Sequence, residues 1–128
     1  MGFELARVFA EKGAEVSLIT GPTQQIIEHS NVIRYDVKNA AQMYDKTVEC
    51  FENCDIAILS AAVADYTPKS TFNTKLKKKT DNLVVELVPT KDILAELGKR
   101  KKENQILVGF ALETDNELEN AKEKLLRK

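Results

Sequence analysis

The chain has 128 residues, of which 43% are hydrophobic and 30% are charged. This length and balance are typical of one folded soluble domain and exclude a disordered chain. The 19 basic and 20 acidic side chains nearly cancel, so no net field draws the chain to nucleic acid or to anionic lipid, and no apolar run approaches the roughly 20 residues of a membrane span.

The order of the predicted elements indicates an α/β fold. Apolar residues at helical spacing predict a helix that opens the chain and ends at Gly13, where a left-handed C-cap fits. Strands are predicted at residues 16–19 and 32–37, and Ile33, Tyr35 and Val37 share one face of the second strand. Asn39 can cap the helix that follows.

A central strand is predicted at residues 55–59, because an apolar run of this kind suits a parallel strand covered by helices on both faces. A helix that begins near Thr90, a strand at residues 105–110 and a helix at residues 117–128 continue the alternation. Residues 67–88 interrupt it and are predicted to form a β-hairpin arm. The sequence thus predicts one Rossmann-like, three-layer α/β domain over residues 1–128, with a parallel sheet and right-handed crossovers.

Cys50 and Cys54 are predicted to be reduced, structural thiols. Their spacing is compatible with metal ligands, but the chain has one histidine and no second cysteine pair to complete a tetrahedral site, so no metal-ligating residue is predicted. The N-terminus lacks the basic and apolar stretches of a secretory signal, which favours a cytoplasmic location.

Open α/β sheets bind ligands beyond the carboxyl ends of their strands. After the predicted central strand, residues 60–66 are mostly small, so a ligand could approach the backbone there, and Asp65 could accept hydrogen bonds from a ribose or a base. The same residues also fit a turn with a capping aspartate. After the last predicted strand, Phe110 could lie against a base or belong to the core.

Lysines supply candidate phosphate contacts. Lys75, Lys77 and Lys79 would share one face of an extended arm and could bind a polyphosphate, although such a run also fits a solvated surface. Lys124 and Lys128 share one face of the last predicted helix, from which they could reach phosphates or remain in water.

Five features in this order resemble the phosphopantothenoylcysteine synthetase family, and the resemblance covers nearly the whole chain. The features are Met1-Gly2 and Gly13-Ala14 at the two ends of the first helix, Ala61-Ala62-Val63-Ala64-Asp65-Tyr66, Lys75-Leu76-Lys77-Lys78, Lys91-Asp92-Ile93-Leu94, and Gly109-Phe110-Ala111-Leu112-Glu113-Thr114. The resemblance implies a ligase of coenzyme A biosynthesis that joins 4'-phosphopantothenate to cysteine. CTP would activate the carboxylate as an acyl cytidylate, and magnesium would accompany the triphosphate. It further implies a homodimer, often fused in bacteria to a flavin-dependent decarboxylase.

The resemblance also implies site residues by position. Lys75 is the candidate catalytic residue, since a cation stabilises charge on a transferring phosphoryl group, and its arm could close over the intermediate as a flap. The implied nucleotide-binding positions are Leu59, Ser60, Ala61, Asp65, Lys91, Asp92, Ile93, Leu94 and Phe110. Lys75, Lys124 and Lys128 would contact phosphates.

The sequence departs from the family pattern at both ends. The family's asparagine-histidine-serine-serine-glycine-lysine stretch and first strand would lie upstream of Met1, and further strands would follow Lys128, so a fragment is expected. Lys91 stands where members often carry proline. Two alternatives stay open: an NAD(P)-dependent reductase, although no Gly-x-Gly-x-x-Gly occurs and Thr20 replaces the acid that would bind the ribose, and a non-catalytic fragment that binds a nucleotide.

Overall fold

The computed structural model of the protein describes residues 1–71, 74 and 83–110. Within these ranges the helices are α1 (Gly2–Glu11), α2 (Ala40–Phe51) and α3 (Ile93–Arg100), and the strands are β1 (Val16–Thr20), β2 (Val32–Asp36), β3 (Ile56–Leu59), β4 (Tyr66–Pro68), β5 (Leu87–Pro89) and β6 (Ile106–Gly109). The alternation confirms the predicted α/β class. None of the helices in these ranges has the length and apolar character that a membrane crossing needs.

The described strands pair two by two. β1 and β2 are parallel, and so are β3 and β6, in a register that sets Leu59 beside Gly109. β4 and β5 are antiparallel, with Tyr66 opposite Pro89. Among the described residues the parallel strands therefore form two pairs, whereas the sequence predicted one continuous sheet.

The predicted left-handed end of α1 is confirmed at Gly13, whose φ is +90°. The Gly13 amide donates to the Ala10 carbonyl at 2.9 Å, and the Ala14 amide donates to the Phe9 carbonyl at 3.0 Å. These two bonds form a Schellman motif, which satisfies carbonyls that the helix leaves unpaired. A glycine fits because it adopts a positive φ without steric cost.

Side-chain caps begin the other two helices. Asn39 Oδ1 accepts the Gln42 amide at 2.9 Å, while Gln42 Oε1 accepts the Lys38 amide at 2.8 Å, so two free amides at the start of α2 are satisfied reciprocally. Asp92 Oδ1 accepts the Ala95 amide at 2.9 Å and caps α3.

Helices α1 and α2 cover opposite faces of the β1–β2 pair. The Arg34 guanidinium of β2 lies 5.4 Å from the centroid of the Phe3 ring on α1, whereas the Lys46 ammonium of α2 lies 4.9 Å from the centroid of the Tyr35 ring. Because successive strand residues point to opposite faces, these contacts put the two helices on different sides. Ile33, on the Tyr35 face, stays 60% exposed.

The core between α2, α3 and the β3–β6 pair is built on Phe51, Ile93 and Leu97, and Leu97 has no exposed surface. The partly buried residues that pack against it are Met43, Tyr44, Val48, Cys54, Ala57, Leu59, Val63 and Leu107.

The other face of the β3–β6 pair remains open among the described residues, with Ile56 43% and Ile106 55% exposed. The prediction that helices cover both faces of β3 is therefore not met within these residues. The predicted helix at residues 117–128 lies outside them.

Candidate functional site

The carboxyl ends of β3 and β6 lie side by side. The two strands are parallel, and the Phe110 amide donates to the Leu59 carbonyl at 3.3 Å, immediately after Gly109 ends β6. Two segments that the sequence singled out, residues 60–66 and the end of the last strand, therefore begin at the same edge. Ligands of open α/β sheets bind at this edge.

Helix α1 begins at that edge as well. A β-carbon at Gly2 would lie 3.1 Å from Ser60 Oγ, so the first turn of α1 is in close contact with the end of β3. The first amides of a helix have no intrahelical partner, and the helix dipole makes this end attractive to anions. The close approach depends on the absence of a side chain at Gly2.

Helix α3 closes a further side of the edge. A β-carbon at Gly109 would lie 2.6 Å from Leu94 Cδ2, which shows how tightly the first turn of α3 packs on the end of β6. Thr90, just ahead of this helix, donates its amide to the Asp65 carbonyl at 2.8 Å and its hydroxyl to the Ala64 carbonyl at 2.7 Å. The turn after β3 is thereby joined to the start of α3.

We call this edge the mouth, and define it as Gly2 with residues 59–65, 90–94 and 109–110. The predicted positions that the structure brings together there are Leu59, Ser60, Ala61, Asp65, Lys91, Asp92, Leu94 and Phe110. The Asp65, Lys91 and Phe110 side chains are exposed, Phe110 by 54%, and a ligand can reach them.

Two predicted positions have structural tasks at the mouth. Ile93 is only 8% exposed and packs with Phe51 and Leu97, so its side chain belongs to the core. Asp92 caps α3 through the Ala95 amide. Five lysines predicted as phosphate contacts lie outside the described residues: Lys75, Lys77, Lys79, Lys124 and Lys128.

Two contacts at the mouth were not predicted from the sequence: the hydrogen bonds of Thr90 to the turn after β3, and the contact of Tyr44 with Lys91. The ammonium of Lys91 lies 4.4 Å from the centroid of the Tyr44 ring, which belongs to α2. Neither contact has a local signal, because Thr90 bonds across 26 residues to Ala64 and Tyr44 reads as an apolar position of its helix. Gly2, at the start of an amphipathic helix, is a sequence signal that is compatible with the close approach of α1 to Ser60.

A second recess lies at the opposite ends of the same strands. It has a volume of about 220 Å³ and is lined by Glu52, Asn53, Cys54, Asp55, Lys102, Asn104 and Gln105. Burial raises the pKa of the Cys54 thiol, and Asp55 adds to the effect. This recess adjoins the amino ends of β3 and β6 and is separate from the mouth. Cys50 and Cys54 are both free thiols.

The whole chain, residues 1–128, matches the model of a family described as the DNA/pantothenate metabolism flavoprotein C-terminal domain. It is 52% identical over 128 residues to a "Cysteine/Cysteine sulfinic acid decarboxylase" of an unknown prokaryotic organism, covering 100% of this chain and 36% of that protein. It is 43% identical over 128 residues to "Coenzyme A biosynthesis bifunctional protein CoaBC" of Bacillus subtilis (strain 168), covering 100% of this chain and 31% of that protein. The chain thus spans about a third of the length of these curated relatives.

Solved structures have the same fold. The C-terminal domain of a coenzyme A biosynthesis bifunctional protein CoaBC superposes with a TM-score of 0.82 at 38% identity, over 98% of this chain and 58% of that one. The DNA/pantothenate metabolism flavoprotein of Streptococcus pneumoniae superposes with a TM-score of 0.76 at 22% identity, over 94% of this chain and 63% of that one. At this identity the likeness shows a shared fold and nothing further.

These names correct the function predicted from the sequence. The matching family is that of a flavoprotein, and the relative named for one reaction is a decarboxylase, whereas none of these names carries a ligase, CTP or magnesium. The assignment to the phosphopantothenoylcysteine synthetase family, the CTP-dependent ligation and Mg²⁺ with CTP as cofactor are withdrawn. The NAD(P)-dependent reductase and the non-catalytic nucleotide-binding fragment are withdrawn with them. The contexts of coenzyme A biosynthesis and of pantothenate remain.

A flavin does not fit the described residues of the mouth. Ala61, Ala62 and Asp65 are exposed and Phe110 is 54% exposed, so these residues leave the mouth open instead of enclosing a tricyclic ring between apolar walls. No flavin chemistry is therefore placed on them.

Proposed function

Because the chain belongs to the DNA/pantothenate metabolism flavoprotein C-terminal domain family, we propose that it forms one domain of a flavin-dependent decarboxylase of coenzyme A biosynthesis. The substrate class is a phosphorylated conjugate of pantothenate with cysteine, and the reaction releases its carboxylate as carbon dioxide. The activity belongs to the complete protein, since this chain spans about a third of its curated relatives.

Within that protein, the mouth binds the phosphorylated end of the substrate. The convergence of two strand ends with the beginnings of α1 and α3 supports this role, because helix amides, a helix dipole and small side chains together favour a bound phosphate. At Gly2 and Gly109 the space of a side chain is taken by Ser60 and Leu94, so the first turns of α1 and α3 lie directly against the ends of β3 and β6. Lys91 adds a positive charge beside the start of α3.

The other mouth residues have complementary roles in this proposal. Asp65 accepts hydrogen bonds from ligand hydroxyl or amide groups, and Phe110 offers an apolar surface to the uncharged part of the ligand. Ser60 and Ala61 line the mouth, and Leu59, whose side chain packs against the core, contributes its main chain. Lys75, Lys124 and Lys128, which lie outside the described residues, are proposed as further phosphate contacts.

Several features predicted from the sequence enter the proposal. A Rossmann-like, three-layer parallel sheet is supported by the helices on opposite faces of the β1–β2 pair and by the likeness to the CoaBC C-terminal domain. The arm at residues 67–88 is supported by the antiparallel pairing of β4 with β5. We further propose that residues 1–128 form a single domain and that the protein is a homodimer. Fusion to the flavin-binding part and a cytoplasmic location are also part of the proposal.

A substitution that fills the mouth tests the role of this chain. Ala61→Phe places a ring at the exposed turn after β3, while Ala41→Phe adds the same ring at an exposed position of α2 and serves as the control. In the complete protein, calorimetric titration with the phosphorylated pantothenate–cysteine conjugate should show at least about tenfold weaker binding for Ala61→Phe, or ~1.4 kcal/mol, and unchanged binding for Ala41→Phe. Equal affinity of both variants and the unmodified protein would remove the mouth from the proposal.

A further inference from the structure

Lys91 brings a positive charge to the mouth, and within the described residues no carboxylate lies in salt-bridge contact with its ammonium. Its side chain is exposed, it follows Thr90, and it precedes the aspartate that caps α3. In the described part of the chain its ammonium makes no ion pair, and its one recorded contact is the face of the Tyr44 ring, at 4.4 Å from the centroid. This distance lies inside the range of about 6 Å over which a cation and an aromatic ring attract each other.

Tyr44 is fixed in place by its neighbours. It is half-buried and packs against the core built on Phe51, Ile93 and Leu97. Tyr44 lies in the second turn of α2, and its contact with Lys91 brings the ring next to the start of α3. A held ring presents a stable face to a side chain that would otherwise sample many rotamers.

A lysine ammonium can contact a ring and an anion at once. It carries three N–H donors, and a ring face engages one side of the group, which leaves donors for phosphate oxygens. Restricting an exposed lysine before the ligand arrives lowers the conformational entropy that binding must otherwise remove.

We propose that Tyr44 is a positioning residue that holds the Lys91 ammonium at the mouth for the phosphate group of the ligand. The inference rests on the proposed function, since it assigns a specific cation to the phosphorylated end of that ligand. Tyr44 acts through Lys91 and does not itself contact the phosphate.

The chain offers a matched control for this pair. The Lys46 ammonium lies 4.9 Å from the centroid of the Tyr35 ring on β2, which is a similar arrangement outside the mouth. Tyr35→Leu removes one cation–ring contact at that place, and Tyr44→Leu removes the corresponding contact beside the mouth. Tyr44→Phe retains an aromatic face and is the conservative variant.

The test measures dissociation constants of the complete protein for the phosphorylated pantothenate–cysteine conjugate and for its dephosphorylated counterpart. Tyr44→Leu should weaken binding of the phosphorylated ligand by roughly two- to fivefold and leave binding of the dephosphorylated ligand unchanged. Tyr44→Phe should remain close to the unmodified protein, and Tyr35→Leu should leave both affinities unchanged. In the Lys91→Met background, Tyr44→Leu should cause no further loss.

Three results would overturn the inference while leaving the proposed function intact. These are equal weakening of both ligands by Tyr44→Leu, the same loss in Tyr35→Leu, and additive losses from Tyr44→Leu and Lys91→Met, each of which would mean that the ring acts on general packing instead of on Lys91. Failure of the unmodified protein to bind the phosphorylated ligand would overturn the proposed function and this inference together.

Discussion

The hydroxyl of Thr90 donates a hydrogen bond to the main-chain carbonyl of Ala64 at 2.7 Å, across 26 residues of sequence. The Thr90 amide reinforces this contact by donating to the next carbonyl, that of Asp65, at 2.8 Å. The turn after β3 therefore cannot move independently of the start of α3. A ligand that lies on both segments therefore meets a surface that Thr90 helps to hold in place.

Thr90→Val should weaken the attachment of the turn after β3 to the start of α3 without creating a cavity. The change keeps the shape of the side chain but removes the hydroxyl, so we expect a stability loss of about 1 kcal/mol from the lost hydrogen bond. Binding of the phosphorylated ligand should weaken at the same time. Chemical denaturation and calorimetric titration measure the two effects, with Thr67→Val on β4 as the control. Binding that equals that of the control variant would contradict the role given to Thr90.

Gln105 should be a strong determinant of stability. It is 4% exposed, and its Nε2 donates to the carbonyls of Phe51 and Cys54, both at 2.8 Å, which ties the end of α2 to the start of β6. Gln105→Met removes this donor from both carbonyls, although the Phe51 carbonyl keeps the Cys54 amide at 3.4 Å, and it also removes the acceptor of the Lys102 amide. It should cost about 1–3 kcal/mol of unfolding free energy. The exposed Gln24→Met is the control, and a loss no larger than that of the control would show that these bonds contribute little.

Much of the fold could be predicted because its determinants are local. Asn39 caps α2 and Gly13 ends α1 as their residue types indicate, and the apolar run of β3 lies within one residue of its predicted bounds. Helix α3 was expected to begin near Thr90 but begins at Ile93. The difference arises because Asp92 takes the capping role while Thr90 bonds to the turn after β3.

Gly109→Ala should disturb the contact between β6 and α3. The added carbon would lie 2.6 Å from Leu94 Cδ2, so the leucine must leave its position. Overpacking of this kind typically costs about 1–3 kcal/mol, and we expect the lower part of that range because the clashing atom is the end of a side chain. Thermal unfolding should show that Leu94→Ala partly rescues Gly109→Ala.

The matched control for Gly109 is Gly21→Ala, since a β-carbon at Gly21 meets no atom within 4 Å. A Gly109→Ala protein that is as stable as this control, with Leu94 unmoved, would show that the packing at the end of β6 is looser than described.

Glu96 and Arg100 should give α3 a pH-dependent contribution to stability. Arg100 Nε donates to Glu96 Oε1 at 2.7 Å, and this hydrogen bond holds the pKa of Glu96 below its usual value. Because the folded-state pKa is lowered, the stabilisation is present above the pKa of the unfolded chain and is lost as pH falls through the folded-state pKa. Arg100→Gln should raise the Glu96 pKa in an NMR titration, and its stability deficit should disappear in acid.

Arg7→Gln is the corresponding control on α1, where Arg7 pairs with Glu4 at 3.4 Å. It should leave the Glu96 titration unchanged. A Glu96 pKa that does not respond to Arg100→Gln would mean that the ion pair is not formed in solution.

The site was predictable only in outline. Alternating strands and helices place Ser60 and Phe110 at one edge of a parallel sheet, and the structure brings them there. The contacts that shape the edge join Thr90 to Ala64 and Lys91 to Tyr44, and contacts between distant residues leave no periodic or motif signal. The reaction was harder to predict. Short sequence motifs correctly indicated coenzyme A biosynthesis, but the ligase reaction inferred from the same motifs was wrong.

A crystal structure of the complete protein with the phosphorylated pantothenate–cysteine conjugate tests the central claim most directly. We expect the phosphate within hydrogen-bond distance of the first amides of α1 and of Lys91 Nζ, with the rest of the ligand against Ser60 and Phe110. A ligand bound entirely elsewhere, with the edge formed by β3, β6, α1 and α3 unoccupied at saturating concentration, would contradict the claim.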